Sequence, residues 1–346
     1  MYISGIRLQN FRTYHEVDFT FNTDITVVVG PNGSGKTNLL EALYMVGYGK
    51  SFRDSDEHLT MYDYDWWKIM SNVDGTPREV RYHDKTKQFR IGEKSLLRLP
   101  RAQHLPVVLF EPDDLSLIHG APASRRRYID QLITHITPGY TTTLRRYERV
   151  VAQRNTLLRH QEIDHDTLFV LDIMLAELAE VIVVARNEII RQWNERLSQY
   201  YSYIADAQTP ISVNYHTPID TNHYKQSLLS HLKSRLNHDH LTGSTSHGPH
   251  RDDYGFFVNN NPFVTTASRG EVRTLILALK QHEVHMIDTY HSTDSLLLLD
   301  DVFSELDTTR QKKLLTAYYD HQTIITTTHV MKGMAHSRTI TVGLLE

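Results

Sequence analysis

Gly30-Pro31-Asn32-Gly33-Ser34-Gly35-Lys36-Thr37 is the stretch of this chain whose residue types and spacing carry the most chemistry, because it matches G-x-x-x-x-G-K-[ST] at every fixed position. Glycines at 30, 33 and 35 let the backbone curl so that successive N–H groups, and the positive end of a following helix, face an anion. Lys36 then reaches the β- and γ-phosphates of a nucleoside triphosphate, and the Thr37 hydroxyl can ligate Mg²⁺. A nucleotide, ATP or GTP, is therefore expected on Gly30 through Asn38.

A second group of residues completes such a site. Ser295-Leu296-Leu297-Leu298-Leu299 is an apolar run ending in Asp300-Asp301, the form a Walker B strand takes. Asp300 is expected to hold Mg²⁺ together with Thr37, and Asp301 to polarise the attacking water. A further strand over 323–328 delivers His329, where an imidazole can sense the γ-phosphate. Ahead of Walker B, Ser268-Arg269-Gly270-Glu271 is a glycine-containing turn leading into a helix over 272–284, another helix start prepared for an anion. In ABC-type ATPases such a turn closes over the nucleotide held by the P-loop of a second subunit; if this chain follows that plan, ATP is expected to join two copies head to tail.

These groups need elements to hold them. Ile25–Val29 reads as a buried strand entering the loop and Asn38–Met45 as the helix leaving it. Residues 1–11 and 15–21 alternate as a hairpin; in its turn, Arg12 reads either as a phosphate contact or as a surface arginine, and Tyr14 either flanks a base or packs in the core. Short extended segments over 66–92 imply an antiparallel sheet beside the nucleotide core, and 106–110 a short buried strand. From 124 to about 204 the pattern becomes long helices broken at Thr137-Pro138-Gly139. The apolar stripe from Leu171 to Leu197 reads as core packing rather than a cofactor seat. Arg125, Arg126 and Arg127, followed by Arg145, Arg146, Arg149, Arg154 and Arg159, read either as a solvated face paired with Asp130, Glu148 and Glu162 or as a contact to a phosphate backbone. Around Gly248-Pro249-His250-Arg251-Asp252-Asp253, hydrogen bonds and ion pairs are expected in preference to a metal, and residues 205–245 give one helix near 224–236.

Composition bounds the rest. The chain has 346 residues, 40% of them hydrophobic, no cysteine and a formal net charge of −4. Disulfides, thiol catalysis and cysteine-bound zinc are excluded, no run approaches a membrane span, and a cytoplasmic protein is expected. The acidic balance excludes a wholesale coater of nucleic acid, leaving a local patch or a dimer groove.

Taken together, the chain resembles the SMC-like branch of ABC ATPases and, within it, the RecF family. That likeness rests on Leu8 to Tyr14, Gly30 to Thr37, Gly49 to Arg53, Leu109 to Leu115, Arg125 to Arg127, Gly248 to Asp253 and Asp300-Asp301, in family order over nearly the whole length. It implies an α/β P-loop NTPase of the ABC/SMC-head type, with an antiparallel β subdomain and an inserted helical lobe: 1–123 and 206–346 forming the ATPase domain, 124–205 the lobe. It further implies ATP-dependent dimerisation on double-stranded or gapped DNA, with slow DNA-stimulated hydrolysis. A RecR-type mediator would be a partner in loading recombinase. Asp301 reaches about 1.5 Å less far than a glutamate, which suits slow turnover. Glu271 departs from the usual glutamine and brings a negative charge toward the expected γ-phosphate unless it caps its own helix; Gln103 is a weak Q-loop candidate. A transporter ATPase, a P-loop kinase active as a monomer and a scaffold with structural ATP are the alternative readings.

Overall fold

A computed structural model of the chain describes residues 1–329 and 338–343. The chain divides into two compact units, one from Met1–Asp114 with Glu283–Glu346, the other from Leu115–His282. The cuts thus fall near 114 and 282, where the sequence motifs suggested 123 and 205. Residues 206–282 belong with the helical lobe because they contribute a small sheet and a hydrogen-bonded loop to it.

The first unit holds two sheets. In the five-stranded sheet, all pairs are parallel and the order is Arg338–Thr341, Ile25–Val29, Thr323–Thr327, Leu296–Asp300, Val107–Phe110. Strands Thr323–Thr327 and Leu296–Asp300 are buried along their whole length, which accounts for their unbroken apolar or threonine-rich sequences. The second sheet has six strands and is antiparallel throughout. Ile3–Phe11 pairs on one side with Tyr14–Thr20 and on the other with Trp66–Val73, followed by Thr76–His83, Thr86–Ile91 and Lys94–Leu96. Both the hairpin and the antiparallel sheet match expectation. One core packs the Lys36–Tyr48 helix, through Leu39, Leu40, Leu43 and Met45, with Leu8, Phe11, Trp67 and Leu298. Residues 302–305 form a 3-10 turn, and a helix starts at Thr308, where the Asp307 carboxylate accepts from the Arg310 N–H.

The second unit is built on helices Pro122–Ile136, Tyr140–Leu158 and His165–Ala205. Leu171, Leu175, Ile182, Ile189, Trp193 and Leu197 are buried, so the stripe is core. Strand Ile211–His216, missed in the sequence although Ile211, Val213 and Tyr215 alternate, pairs antiparallel with Asp253–Val258. Arginines inside this unit bind it together. Arg154, fully buried, donates to Asp172 at 2.6 Å and to Asp239 at 2.8 Å, while Arg186 donates to both oxygens of Asp130. Asp130 is thereby taken by Arg186, not by the arginines of the expected surface face.

The loop Gly248–Asp253 is the knot of the unit. Its Pro249 carbonyl accepts from Arg186, the Asp252 carboxylate from the hydroxyls of Tyr215 and Tyr224, and the Asp253 carboxylate from Arg125. His250 Nε2 lies 3.1 Å from the Thr245 carbonyl, which can only accept, so Nδ1 receives the Tyr147 hydroxyl at 2.6 Å. Hydrogen bonding and ion pairing are thus what these residues do here. Gly248 has φ +128°, and a Cβ there would sit 2.6 Å from the Tyr147 oxygen. Gly248→Ala is therefore expected to destabilise the protein by about 2 kcal/mol or more, visible as a lowered urea midpoint.

Burial, with Arg251, Arg126 and Arg154 nearby, pushes the His250 imidazole down to about 4, against the pull of the Thr245 carbonyl. The unfolded imidazole titrates near 6.5. Because the folded value is the lower one, this contribution is fully present above the unfolded value and declines as pH falls toward the folded one, by at most about 3 kcal/mol. Urea unfolding from pH 8 to pH 4 should show that loss, and His250→Gln should flatten it.

Candidate functional site

Strand Ile25–Val29 ends at the loop, and the helix Lys36–Tyr48 begins behind Gly35, in the order the motif requires. Gly35 has φ +91° and sits against the Thr13 and Tyr14 hydroxyls, which a Cβ would meet at 2.8 and 2.9 Å. The left-handed backbone there lets the first helical N–H groups turn toward the loop's concave side. Lys36, 8% exposed, sends its ammonium across the loop to the carbonyls of Gly30 and Pro31, both at 2.8 Å. Asn38 donates to Thr13 at 3.0 Å.

Walker B comes into register with the P-loop through the parallel sheet. The Thr37 hydroxyl donates to Asp300 Oδ2 at 2.8 Å, and the Thr326 hydroxyl donates to Asp300 Oδ1 at 2.7 Å. Thr326 also accepts the Asp301 N–H at 3.0 Å. Asp301 leaves the strand with φ +51°, a conformation aspartate tolerates better than most residues. Thr326 was missed in the sequence, although its place on the strand leading to His329 marked it. His329 follows that strand, exposed, its N–H 3.3 Å from the Thr327 hydroxyl.

Arg12 and Tyr14 resolve differently. Tyr14 is buried, its hydroxyl donates to the Gly35 carbonyl at 3.0 Å, and its ring meets Phe19 edge-on, so it is a packed tyrosine. Arg12 is spread over Glu41, through Nε and Nη2 at 2.9 Å each, and over the His58 carbonyl. Glu41 also accepts from Arg53 at 2.7 Å and Ser51 at 2.5 Å. Burial alone would raise this carboxyl, but the bonds from Arg12, Arg53 and Ser51 hold it below the usual carboxylate range. Beside these residues lies an open cleft of 720 Å³ lined by Arg12, Thr13, Tyr14, His15, Val17 and Tyr62 among others.

In the second unit, the Ser268 hydroxyl and N–H both donate to the Glu271 carboxylate at 2.7 Å, and the Glu271 N–H lies 3.3 Å from the hydroxyl. This is a capping box at the start of the Arg269–His291 helix. Glu271 is turned onto its own helix, leaving Arg269 and Gly270 between the two capping residues. Of the arginine run, Arg125 is clamped on Asp253 and Arg126 donates to the Asp252 carbonyl, while Arg127 is exposed, as are Arg145, Arg146 and Arg149. Arg154 is internal. Gln103 lies in a short 3-10 turn, its carbonyl bonded to Arg78. Among the described residues, no helix is long and apolar enough to cross a membrane.

The family model for the RecF/RecN/SMC N terminal domain matches residues 2–344. The DNA replication and repair protein RecF of Streptococcus suis (strain 05ZYH33) is 34% identical over 339 residues, 95% of this chain and 93% of that protein. The protein of the same name from Staphylococcus carnosus (strain TM300) is 33% identical over 353 residues, covering 97% and 95%. A solved structure of the recombination mediator protein RecF-ATPrS in the RecFOR pathway superposes with a TM-score of 0.87 at 27% identity, covering 100% of this chain and 98% of that one. A solved SmcHead bound to the C-winged helix domain of ScpA gives 0.53 at 15% identity over 95% and 90%, a likeness of fold alone.

Proposed function

Since the chain belongs to the RecF family of DNA replication and repair proteins, whose ATP-bound member shares its fold, we propose that it is a slow, DNA-stimulated ATPase that dimerises around ATP on double-stranded or gapped DNA. The observation that carries this is the 2.8 Å bond between Thr37 and Asp300, which joins the two halves of a nucleotide site from opposite ends of the sequence.

The P-loop N–H groups and Lys36 bind the phosphates; Lys36 exchanges its two loop carbonyls for phosphate oxygens as they arrive. A hydroxyl and a carboxylate in contact are hard oxygen donors suited to Mg²⁺, and Thr37 and Asp300 would hold it. That ion supplies charge neutralisation on the phosphates when bound. Asp301 orients the attacking water, with His329 sensing the γ-phosphate. The cleft beside Thr13 and Tyr14 takes the base and ribose, with Arg12 at its rim. The Ser268–Glu271 turn of a second copy closes the site: Arg269 and the N–H of Gly270, between the two capping residues, meet the phosphate, and the Ser268 hydroxyl exchanges its Glu271 acceptor for a phosphate oxygen. Hydrolysis reopens the dimer, so ATP acts as a timer.

DNA contact is assigned to Arg127 with the exposed Arg145, Arg146 and Arg149, rather than to the internally bonded Arg125 and Arg126. A RecR-type mediator is the proposed protein partner in loading recombinase, in the cytoplasm. Light scattering with ADP, ATP, and ATP plus a gapped duplex tests the clamp. Mass should double only with ATP, and Asp301→Asn should lengthen the dimer's life by slowing hydrolysis about 10²-fold. Mass and DNA affinity indifferent to ATP would favour the kinase or scaffold reading.

A further inference from the structure

Sequence motifs single out Arg12 and leave Glu41 as one polar residue in an apolar helix. The structure reverses their importance. Glu41 is wholly inaccessible to solvent, on the second turn of the helix that begins at Lys36. Its two oxygens gather three side chains from two loops: Arg12 from the hairpin turn, and Ser51 and Arg53 from the segment after the helix. Arg53 Nη2 also donates to Asn38 at 2.9 Å, and Asn38 donates in turn to Thr13, whose hydroxyl packs on Gly35. One buried carboxylate thus anchors a continuous chain of bonds to the end of the phosphate loop.

The charges explain why a carboxylate is needed. Two guanidiniums converge on one acid beside a helix start that is itself positive. With Glu41 charged, they sit side by side, and Arg12 also lies 3.4 Å from the Asp54 carboxylate; without Glu41 the two guanidiniums repel each other and separate. The two are not equally engaged. Arg12 directs all three nitrogens to acceptors, with a side chain 19% exposed. Arg53 is 36% exposed, and among the described residues its Nε and Nη1 make no hydrogen bond to the protein. Through Nη2 it is held against Asn38, the residue after Thr37.

We propose that Glu41 is a positioning residue for the nucleotide: it neutralises Arg12 and holds Arg53 so that the open edge of that guanidinium meets the polyphosphate. This rests on the nucleotide-site reading above. A buried group that fixes a cation raises affinity by removing the cost of ordering it on binding.

The test is a double-mutant cycle on the full chain, with mant-ATP titrated by fluorescence against wild type, Glu41→Gln, Arg53→Gln and the pair, and thermal unfolding recorded for each. Glu41→Gln should weaken mant-ATP about tenfold while the protein stays folded, Arg53→Gln should weaken it by a similar factor, and the pair should be little worse than Arg53→Gln alone. Losses that multiply in the pair, or a Glu41→Gln protein that binds as wild type does, would overturn the proposal. If Glu41→Gln fails to fold, Arg53→Gln decides: wild-type affinity in that variant overturns it. Wild type failing to bind mant-ATP overturns the underlying nucleotide reading, and this proposal with it.

Discussion

Lys36→Ala should abolish ATP-dependent doubling of mass and lower the rate of phosphate release by roughly 10²- to 10³-fold, the range for removing a preorganised group that stabilises charge in the transition state. The expectation follows from where the ammonium sits. It is nearly buried and, among the described residues, bonded only to the backbone carbonyls of Gly30 and Pro31, so it is desolvated in advance of the phosphates proposed to reach it. The fold should tolerate the change, since two hydrogen bonds worth about 1 kcal/mol each are lost and the carbonyls can turn to water. Phosphate-release kinetics, light scattering and a thermal melt on one preparation separate the outcomes. A variant that still hydrolyses and dimerises like wild type would remove the P-loop from the mechanism.

Arg154→Met is expected to have the largest effect on stability, about 3–5 kcal/mol, because it strands Asp172 and Asp239 in the interior without their shared cation. The same arginine also donates to the Thr245 hydroxyl, and so ties together helices Tyr140–Leu158, His165–Ala205 and Leu236–Thr242. Burial already pushes the Asp172 carboxyl above its ordinary value despite Arg154. Removing the arginine raises it further. An acid whose folded value exceeds its unfolded one favours the folded state as pH falls through the folded value, so the variant's deficit should shrink as pH is lowered from 7 toward 5. Urea unfolding at both pH values measures this. Adding Asp172→Asn and Asp239→Asn should recover much of the loss, and a deficit below about 1 kcal/mol in the single variant would contradict the buried-triad account.

The nucleotide site was more legible in the sequence than the helical unit. Strand, loop and helix are consecutive around Gly30 to Thr37, and an apolar run ending in two aspartates can hardly be anything but a buried strand, so local pattern was enough. The Thr37–Asp300 bond needed only the parallel register. Arg125, Arg126 and Arg154 misled because helical spacing gives a face but not its partner. Their carboxylate and carbonyl partners come from Asp172, Asp239, Asp252 and Asp253, distant in sequence and invisible to periodicity. Glu41 was obscured for the opposite reason: an acid in an apolar helix looks like a concession to solubility until Arg12 and Arg53 arrive from either side. The capping box at Ser268 and Glu271 was readable, since S-x-x-E before an apolar run is a helix-start signature.

The order of strands in the parallel sheet bears on how the chain is made. Ile25–Val29 and Val107–Phe110 emerge from the ribosome early, but they do not pair with each other: among the described residues, each pairs only with strands that follow residue 283. The antiparallel sheet closes from the first segment alone, and all of Leu115–His282 is synthesised before Leu296–Asp300 appears. During translation the phosphate loop is thus attached to a strand with no neighbours in its own sheet. The two halves of the proposed nucleotide site therefore meet only once the strands after residue 283 dock, and a chain stalled before them carries an unpaired hydrophobic edge.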